Sequence, residues 1–341
     1  MQKLKLYNAH CCGEIGDVIV AGNVNLQGKN TLEKSKFLFE DKKLRNFLLH
    51  EPRGGVFKHF NLLVAPTDKK AKAAFIIMEP EDNPPMSGSN SICVATVLLE
   101  KGIIEMTEPI TEFFLEAPGG IIPIKAFIEN KKVSFVEIHN LPSFVDKLDA
   151  KLHTPSFGEI IVSTVFGGDS FVICNAQDFD LTIKPDNAKK FVEISKEVVR
   201  EANSTLGFAH PLLSQLDFIS FCQFIEPVKI NNLNQKEGWN TVCIRPGKLD
   251  RSPCGTGTSA RLALMYAKNE INIHEKFISR SIIGSTFESY ITREYTEGNQ
   301  LMIVPSIKGS AFITGEQEMY ISDDDPFPEG YKLNDTWPKI S

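Results

Sequence analysis

The chain has 341 residues and a mass of 38.0 kDa, of which 42% are hydrophobic and 23% charged. This composition excludes a disordered chain, and the length suits about two domains of roughly 150 residues each. The formal net charge of −6 is spread along the chain without a basic block. The sequence therefore lacks the electrostatic pattern of proteins that bind nucleic acid or anionic lipid, and neither partner is predicted.

The start of the chain and the cysteine pattern indicate a cytoplasmic protein. Residues 1–10 contain no apolar signal-peptide segment, and no run reaches the roughly 18 to 20 apolar residues of a membrane-spanning helix. The seven cysteines are scattered, and neither CxxC nor HExxH spacing occurs. We therefore predict no disulfide framework and no metal site.

Helical and strand-like segments alternate along the chain. Apolar periodicity predicts helices over residues 32–49, 92–101, 188–202 and 259–268. Apolar and β-branched runs predict strands over residues 60–65, 74–78, 218–224 and 241–244. The acidic segment 323–326 is expected on the surface of the first half.

One pattern occurs twice. A small polar turn containing Ser87 precedes the first apolar helix, and a similar turn containing Cys254 precedes the second. A glycine turn follows each helix, at 118–120 and at 284–286. The sequence therefore predicts a duplicated α+β unit.

The domain boundaries follow from this duplication. Loop-like sequence around residues 140–143 separates the halves. We predict a first domain over 1–148, joined by residues 315–341, and a second domain over 149–314.

Each half places one candidate reactive atom, Ser87 Oγ or Cys254 Sγ, at a helix N-terminus. Unpaired N–H groups and partial positive charge at such termini bind carboxylates and favour a thiolate over a thiol. If the halves face each other, the two atoms flank one cleft. Of the other cysteines, Cys93, Cys174, Cys222 and Cys243 are interpreted as core residues, and Cys11 and Cys12 are left unassigned.

Three other functions are compatible with parts of this pattern. Gly255, Gly257 and Ala260 fit a dinucleotide fingerprint, but the last strand-like run ends at Ile244, well before the glycines. A cysteine hydrolase needs a partnered histidine, and no local sequence singles one out. An amino-acid-binding protein is also compatible with the pattern, although binding alone would not require a thiol in an anion site.

The residues around Cys254 resemble the second motif of the proline racemase family, which has the diaminopimelate-epimerase-like fold. Residues 250–257 match that motif, and segments 10–14, 52–55, 116–120 and 167–171 extend the resemblance over nearly the whole chain. It implies two pseudo-symmetric α+β domains, each with strands wrapped around a central helix. It also implies an active site between the domains and no cofactor.

The first motif departs from the family. Racemases and epimerases of the family have Met-Cys-Gly-His where this chain has Met86-Ser87-Gly88-Ser89. A serine hydroxyl is too weak a base to replace a thiolate. The reaction therefore has to proceed with one thiol. The resemblance then implies a trans-3-hydroxy-L-proline dehydratase that yields pyrroline-2-carboxylate. A 4-hydroxyproline 2-epimerase or a proline racemase is the alternative.

The resemblance also implies roles for individual residues. Cys254 is expected to be the α-proton base, with Ser87 at the opposite face of a proline or hydroxyproline substrate. Asp250 is expected to contact the ring nitrogen, and Asn90 is a candidate for the role of the missing histidine. The N–H groups and hydroxyls around Gly88, Ser89, Gly255 and Thr256 are expected to hold the carboxylate. A homodimer is compatible with this interpretation.

Overall fold

The computed structural model describes residues 2–212, 216–322 and 324–337. Its helices are α1 (Thr31–Asp41), α2 (Lys43–Leu49), α3 (Gly88–Glu100), α4 (Ala188–Thr205) and α5 (Gly255–Ala267), with short 3₁₀ turns at Ala176–Phe179 and Pro185–Asn187. The predicted helix over 32–49 is two helices, because Lys42 adopts a left-handed conformation with φ of 61°. None of the helices in these ranges combines the length and hydropathy needed to cross a bilayer.

The strands form most of the structure. In chain order they are β1 (Gln2–Cys11), β2 (Glu14–Ile15), β3 (Asp17–Gly22), β4 (Phe60–Val64), β5 (Ala73–Met78), β6 (Ile110–Ala117), β7 (Gly120–Glu129), β8 (Lys132–His139), β9 (Phe144–Thr154), β10 (Gly158–Phe166), β11 (Ser170–Asn175), β12 (Phe221–Ile225), β13 (Lys229–Ile230), β14 (Lys236–Ile244), β15 (Lys248–Leu249), β16 (Phe277–Arg280), β17 (Thr286–Glu297), β18 (Gln300–Gly309) and β19 (Ala311–Ile321).

The chain divides into two units, Met1–Ile138 with Gly309–Ser341, and His139–Lys308. In the first unit, neighbouring strands follow the order β19, β1, β3, β4, β5, β6, β7, β8. The successive pairs run antiparallel, antiparallel, parallel, antiparallel, parallel, antiparallel and antiparallel. Helices α1 and α2 connect the first parallel pair, and α3 connects the second.

The second unit repeats this topology. Its strands follow the order β9, β10, β11, β12, β14, β16, β17, β18, with the same succession of strand directions. Helix α4 connects its first parallel pair and α5 its second. The predicted fold of two duplicated α+β units is therefore confirmed, because both the strand order and the helix positions recur.

In each unit one helix is enclosed by the strands. Helix α3 packs against β1, β3, β7 and β19, and α5 packs against β9, β10 and β17. All residues of α3 from Gly88 to Leu99 are buried, as are those of α5 from Gly255 to Met265. A helix that is apolar on every side is typical of such a central position.

The other helices cover the outer face of the strands. In the second unit, Phe191 and Val198 of α4 belong to one apolar cluster, whereas Ala260 and Leu262 of α5 belong to another. Strand β11 is buried on both faces, which explains its continuous apolar sequence. The four cysteines interpreted as core residues, Cys93, Cys174, Cys222 and Cys243, are buried, which confirms that interpretation.

The C-terminal segment contacts the first unit. Asp325 forms an ion pair of 2.7 Å with Arg53, and Tyr331 pairs with Glu51 in an isolated β-bridge. Asp323, part of the acidic segment singled out above, lies outside the described residues. Leu148, where the sequence suggested a domain boundary, lies inside β9. The two units instead divide after Ile138, before the hairpin of β9 and β10.

Candidate active site

Cys254 is the N-cap residue of α5 and has an unusual backbone conformation, with φ of 60° and ψ of 113°. Its Sγ accepts a hydrogen bond of 3.3 Å from the N–H of Gly257 and lies 3.4 Å from Thr256 Oγ1. The N–H groups of Gly255 and Thr256 belong to the first turn, where no intrahelical acceptor exists. The thiol therefore lies among hydrogen-bond donors at the positive end of a helix.

The turn before Cys254 is held by its own polar groups. The N–H of Cys254 donates to Ser252 Oγ at 3.0 Å, and the N–H of Ser252 donates to Asp250 Oδ1 at 2.8 Å. The carbonyl of Pro253 accepts from Asn240 Nδ2 at 2.8 Å and from Thr258 Oγ1 at 3.1 Å. These contacts fix the position of the thiol relative to the helix.

A glycine turn packs directly on the start of α5. A Cβ at Gly167 would lie 2.1 Å from the carbonyl oxygen of Thr256 and 2.5 Å from the nitrogen of Ala260. Gly167 belongs to segment 167–171, one of the segments that carried the family resemblance. Only glycine permits this approach, so Gly167 supports the N-terminus of α5.

The structure corrects the expected ionisation of Cys254. Burial raises the pKa of its thiol well above the usual value, and the nearby charge of Asp250 raises it further. The hydrogen bonds from Thr256 and Gly257 lower the pKa, but their effect is smaller. The predicted stabilisation of a thiolate is therefore wrong, because only 6% of Cys254 is exposed and the loss of hydration disfavours the charged form.

This raised pKa predicts an alkaline pH dependence. If the Cys254 thiolate is the base, kcat/KM is expected to increase with pH as the thiol loses its proton, and to be still increasing at pH 9. Alkylation of Cys254 by iodoacetamide, followed by mass spectrometry, should show the same dependence. A plateau of both rates below pH 8 would contradict the prediction.

Asp250 is buried, with 7% of its surface exposed. Its N–H donates to the carbonyl of Val242 at 2.9 Å, which attaches the turn to β14. A buried carboxylate beside a thiol can attract a cationic ring nitrogen. It also holds the turn through Ser252, so an alanine at this position would combine both losses.

We therefore predict a specific effect of Asp250→Asn, which keeps the acceptor for Ser252 and removes the charge. The pKa of Cys254 should fall, because one cause of its increase is lost, and the alkaline limb of kcat/KM should move to lower pH. KM for a proline or hydroxyproline with a protonated ring nitrogen should increase by about 10- to 100-fold, the range for one charged hydrogen bond. An unchanged pH profile together with an unchanged KM would remove Asp250 from the site.

The corresponding N-cap residue in the first unit is Ser87, at the start of α3. Ser87 is half-buried, and its side chain does not cap the helix backbone. Its Oγ instead accepts a hydrogen bond of 2.9 Å from Asn90 Nδ2. Gly88 and Ser89 form the buried first turn beside it.

A polar network continues from Asn90 into the first unit. Asn90 Nδ2 also approaches Glu79 Oε1 at 3.4 Å, and Asn90 Oδ1 accepts from Asn61 Nδ2 at 2.8 Å. His59 lies behind this network, with Nδ1 3.7 Å from Glu79 Oε1 and Nε2 3.5 Å from Glu14 Oε1. His59 is 2% exposed, so it is neither a surface residue nor isolated in an apolar core.

The structure thus brings the predicted site residues into two groups, one in each unit. Ser87, Gly88, Ser89 and Asn90 surround the start of α3, and Asp250, Cys254, Gly255 and Thr256 surround the start of α5. Sequence reasoning missed Asn61, Glu79 and Asn240. The signal for Asn61 was a polar residue inside the apolar run of β4.

Known proteins resemble this chain in sequence and in fold. A sequence-family model described as proline racemase matches residues 6–332. A hydroxyproline epimerase from Agrobacterium vitis, crystallised with trans-4-hydroxy-L-proline, is 34% identical over 99% of this chain and 98% of that chain, with a TM-score of 0.89. A probable proline racemase from Agrobacterium radiobacter K84, crystallised with carbonate, has the same identity, coverage and TM-score. A phenazine biosynthesis protein of the PhzF family from Bacillus anthracis is 13% identical over 94% of this chain and 100% of that chain, with a TM-score of 0.60, and shares the fold.

Proposed function

The chain belongs to the proline racemase family, and we propose that it removes the α-proton of a hydroxyproline without a cofactor. The substrate we propose is trans-3-hydroxy-L-proline, and the product is pyrroline-2-carboxylate. The observation that carries this choice is the replacement of one family thiol by Ser87, whose Oγ accepts from a neutral amide and has no base beside it among its described contacts.

The reaction starts at Cys254. Its thiolate takes the α-proton, and the electron pair of the broken C–H bond moves towards the carboxylate. The N–H groups of Gly255 and Thr256 would stabilise the growing charge, as donors positioned in advance do for an oxyanion. Asp250 would hold the ring nitrogen in its cationic form and orient the α-carbon towards the thiol.

The stereochemistry of the substrate explains why one thiol is enough. In trans-3-hydroxy-L-proline the carboxylate and the hydroxyl lie on opposite faces of the ring. The α-hydrogen and the hydroxyl therefore lie on the same face. The Cys254 thiol, having taken the α-proton, can return it to the hydroxide that leaves the neighbouring carbon. The C–H and C–O bonds break, a C=C bond and water form, and the thiolate is regenerated.

Inversion of the α-carbon requires a second group. It needs an acid that delivers a proton to the opposite face, and a positioned acid or base works best with a pKa near the operating pH. The Ser87 hydroxyl is far weaker than a thiol in this role. We therefore propose that elimination is faster than inversion.

A 4-hydroxyproline 2-epimerase or proline racemase is the second candidate. The similarity to the hydroxyproline epimerase from Agrobacterium vitis supports it, because 34% identity extends over almost the entire chain. Ser87 would then have to deliver the second proton, unaided by a thiol. This candidate predicts a D-configured product and no loss of the ring hydroxyl.

One experiment separates the candidates. The protein is incubated in deuterated water with L-proline, trans-3-hydroxy-L-proline or trans-4-hydroxy-L-proline, and each reaction is followed by proton NMR. Loss of the ring alcohol from the 3-hydroxy substrate supports the dehydratase. Deuteration with epimer formation from the other two substrates supports the epimerase and overturns our choice.

The same three substrates, with and without added dinucleotide, test functions of other classes. A nicotinamide-dependent oxidoreductase would change absorbance only after addition of the dinucleotide. The chain before the glycines does not suit that cofactor, since β15 ends at Leu249 and the turn 250–254 intervenes. An amino-acid-binding protein would leave all three substrates unchanged.

A further inference from the structure

We propose that Asn90 is a positioning residue that holds the Ser87 hydroxyl as a hydrogen-bond donor to the substrate carboxylate. The inference rests on the proposed function, and it revises the expected role of Asn90 as a residue that contacts substrate. Asn90 is 1% exposed, and both ends of its amide have partners in the protein. Its influence on a substrate therefore passes through Ser87.

The contacts of Asn61 with Asp17 and Asn90 fix the orientation of its amide. Asn61 Nδ2 lies 3.4 Å from the carbonyl oxygen of Asp17 and 2.8 Å from Asn90 Oδ1. A flipped Asn61 would place its own oxygen against the carbonyl of Asp17. Because two acceptors repel each other, the amide nitrogen faces both Asp17 and Asn90.

The Asn90 amide is oriented from two sides. Its oxygen faces the N–H₂ group of Asn61, and its nitrogen faces Glu79 Oε1 at 3.4 Å. A flipped Asn90 would put an oxygen against the Glu79 carboxylate and a nitrogen against that of Asn61. Both contacts would be unfavourable, so Asn90 presents N–H to Ser87.

This orientation decides what the Ser87 hydroxyl can do. A hydroxyl has one proton to donate and two lone pairs that accept. Asn90 occupies an acceptor position of Ser87 Oγ, and no residue in the described part of the chain accepts the Ser87 proton. The hydroxyl of this half-buried residue can therefore donate to a bound molecule.

The surroundings of Ser87 select the molecule that receives this hydrogen bond. Ser87 precedes the first turn of α3, where the N–H groups of Gly88 and Ser89 lack intrahelical acceptors. A group of donors at the positive end of a helix favours an anion. In the proposed reaction, the substrate carboxylate is the anion, and its charge grows as the α-proton leaves.

The two units use different donors to orient the side chain of the N-cap residue. In α5 the N-cap Sγ of Cys254 accepts from the backbone N–H of Gly257, three residues later. In α3 the N-cap Oγ of Ser87 accepts from the side chain of Asn90, also three residues later. The reactive atom is thus oriented by a donor at the same repeat position, and α3 uses a side chain that mutation can remove.

A double-mutant cycle tests the inference. Ser87→Ala should lower the rate at which trans-3-hydroxy-L-proline loses its ring alcohol by about 10²-fold, as loss of one positioned donor does. Asn90→Asp, nearly isosteric, turns the Ser87 proton towards the new carboxylate and should lower kcat by about 10-fold or more, with a smaller change in KM. The double variant should be no slower than Ser87→Ala, because Asn90 acts only through that hydroxyl. Multiplied losses, or a fully active Asn90→Asp, would overturn the inference.

Two further variants separate this role from a structural one. Asn90→Ala removes the donor without adding charge near Glu79, and it should show the same dependence on Ser87. Asn83→Asp is the matched control, since Asn83 Nδ2 also donates one hydrogen bond in this unit, to the carbonyl of Ser35 at 3.1 Å. The control should keep the parent rate of elimination. A loss equal to that of Asn90→Asp would mean that the network only maintains the fold.

Ligand binding keeps the test independent of catalysis. Calorimetric titration with pyrrole-2-carboxylate, a planar mimic of the deprotonated ring, should show weaker binding for Ser87→Ala and for Asn90→Asp, again without multiplication. If the parent protein does not dehydrate trans-3-hydroxy-L-proline but this binding pattern holds, the proposed function fails and the positioning role stands. If elimination occurs and Asn90→Asp matches the parent in both assays, the positioning role fails alone.

Discussion

Cys254→Ala is expected to slow elimination, with a loss of about 10²- to 10⁴-fold in kcat. The structure supports this expectation because Cys254 Sγ lies at the start of α5, between the hydroxyl of Thr256 and the N–H of Gly257. No other described thiol caps a helix. The rate is measured by proton NMR in deuterated water with trans-3-hydroxy-L-proline.

Cys243→Ala is the matched control for this substitution. Cys243 belongs to the same unit, is 7% exposed, and has a pKa raised to about 11 by burial. It lies in β14, away from any helix N-terminus, and its removal should leave the rate unchanged. Thermal unfolding of both variants shows whether the fold is retained. Turnover by folded Cys254→Ala at the parent rate would mean that the base lies elsewhere.

Ser87→Cys is expected to increase the rate at which proline and 4-hydroxyproline are inverted. The change replaces one oxygen by one sulfur at the N-cap of α3, so the fold should tolerate it. The Asn90 N–H that now reaches Ser87 Oγ would donate to the new sulfur and favour its thiolate. Inversion should increase by about 10²- to 10⁴-fold, the contribution of a positioned acid or base. Polarimetry with L-proline measures it.

Two companion variants make this prediction stricter. Because the family has histidine at the position of Ser89, Ser87→Cys with Ser89→His is the closer imitation of a two-thiol site. Adding Cys254→Ala to Ser87→Cys should remove the new inversion, since both faces then need a thiol. If the single and double variants stay folded, bind pyrrole-2-carboxylate and invert no faster than the parent, Ser87 does not act on the substrate.

The duplicated α+β unit and the helices of the candidate site could be predicted from the amino-acid sequence. Ser87 and Cys254 were recognisable because a small polar turn before an apolar helix is a local pattern, contained in about fifteen residues of each half. The structure confirms both N-caps, at the start of two helices that occupy the same place in a repeated strand order. Local patterns of this kind survive folding because N-capping and helical periodicity involve only residues near in sequence.

The chemical state of these residues depends on how the chain folds. The pKa of Cys254 is raised by burial and by Asp250, effects that depend on how much water the folded chain excludes. The hydrogen-bonding direction of Ser87 depends on Asn61 and Glu79, which belong to other segments of the unit. Desolvation and contacts between distant segments arise only when strands pair and pack. Sequence patterns therefore located the candidate reactive atoms, but they misjudged the ionisation of Cys254 and missed the contacts around Ser87.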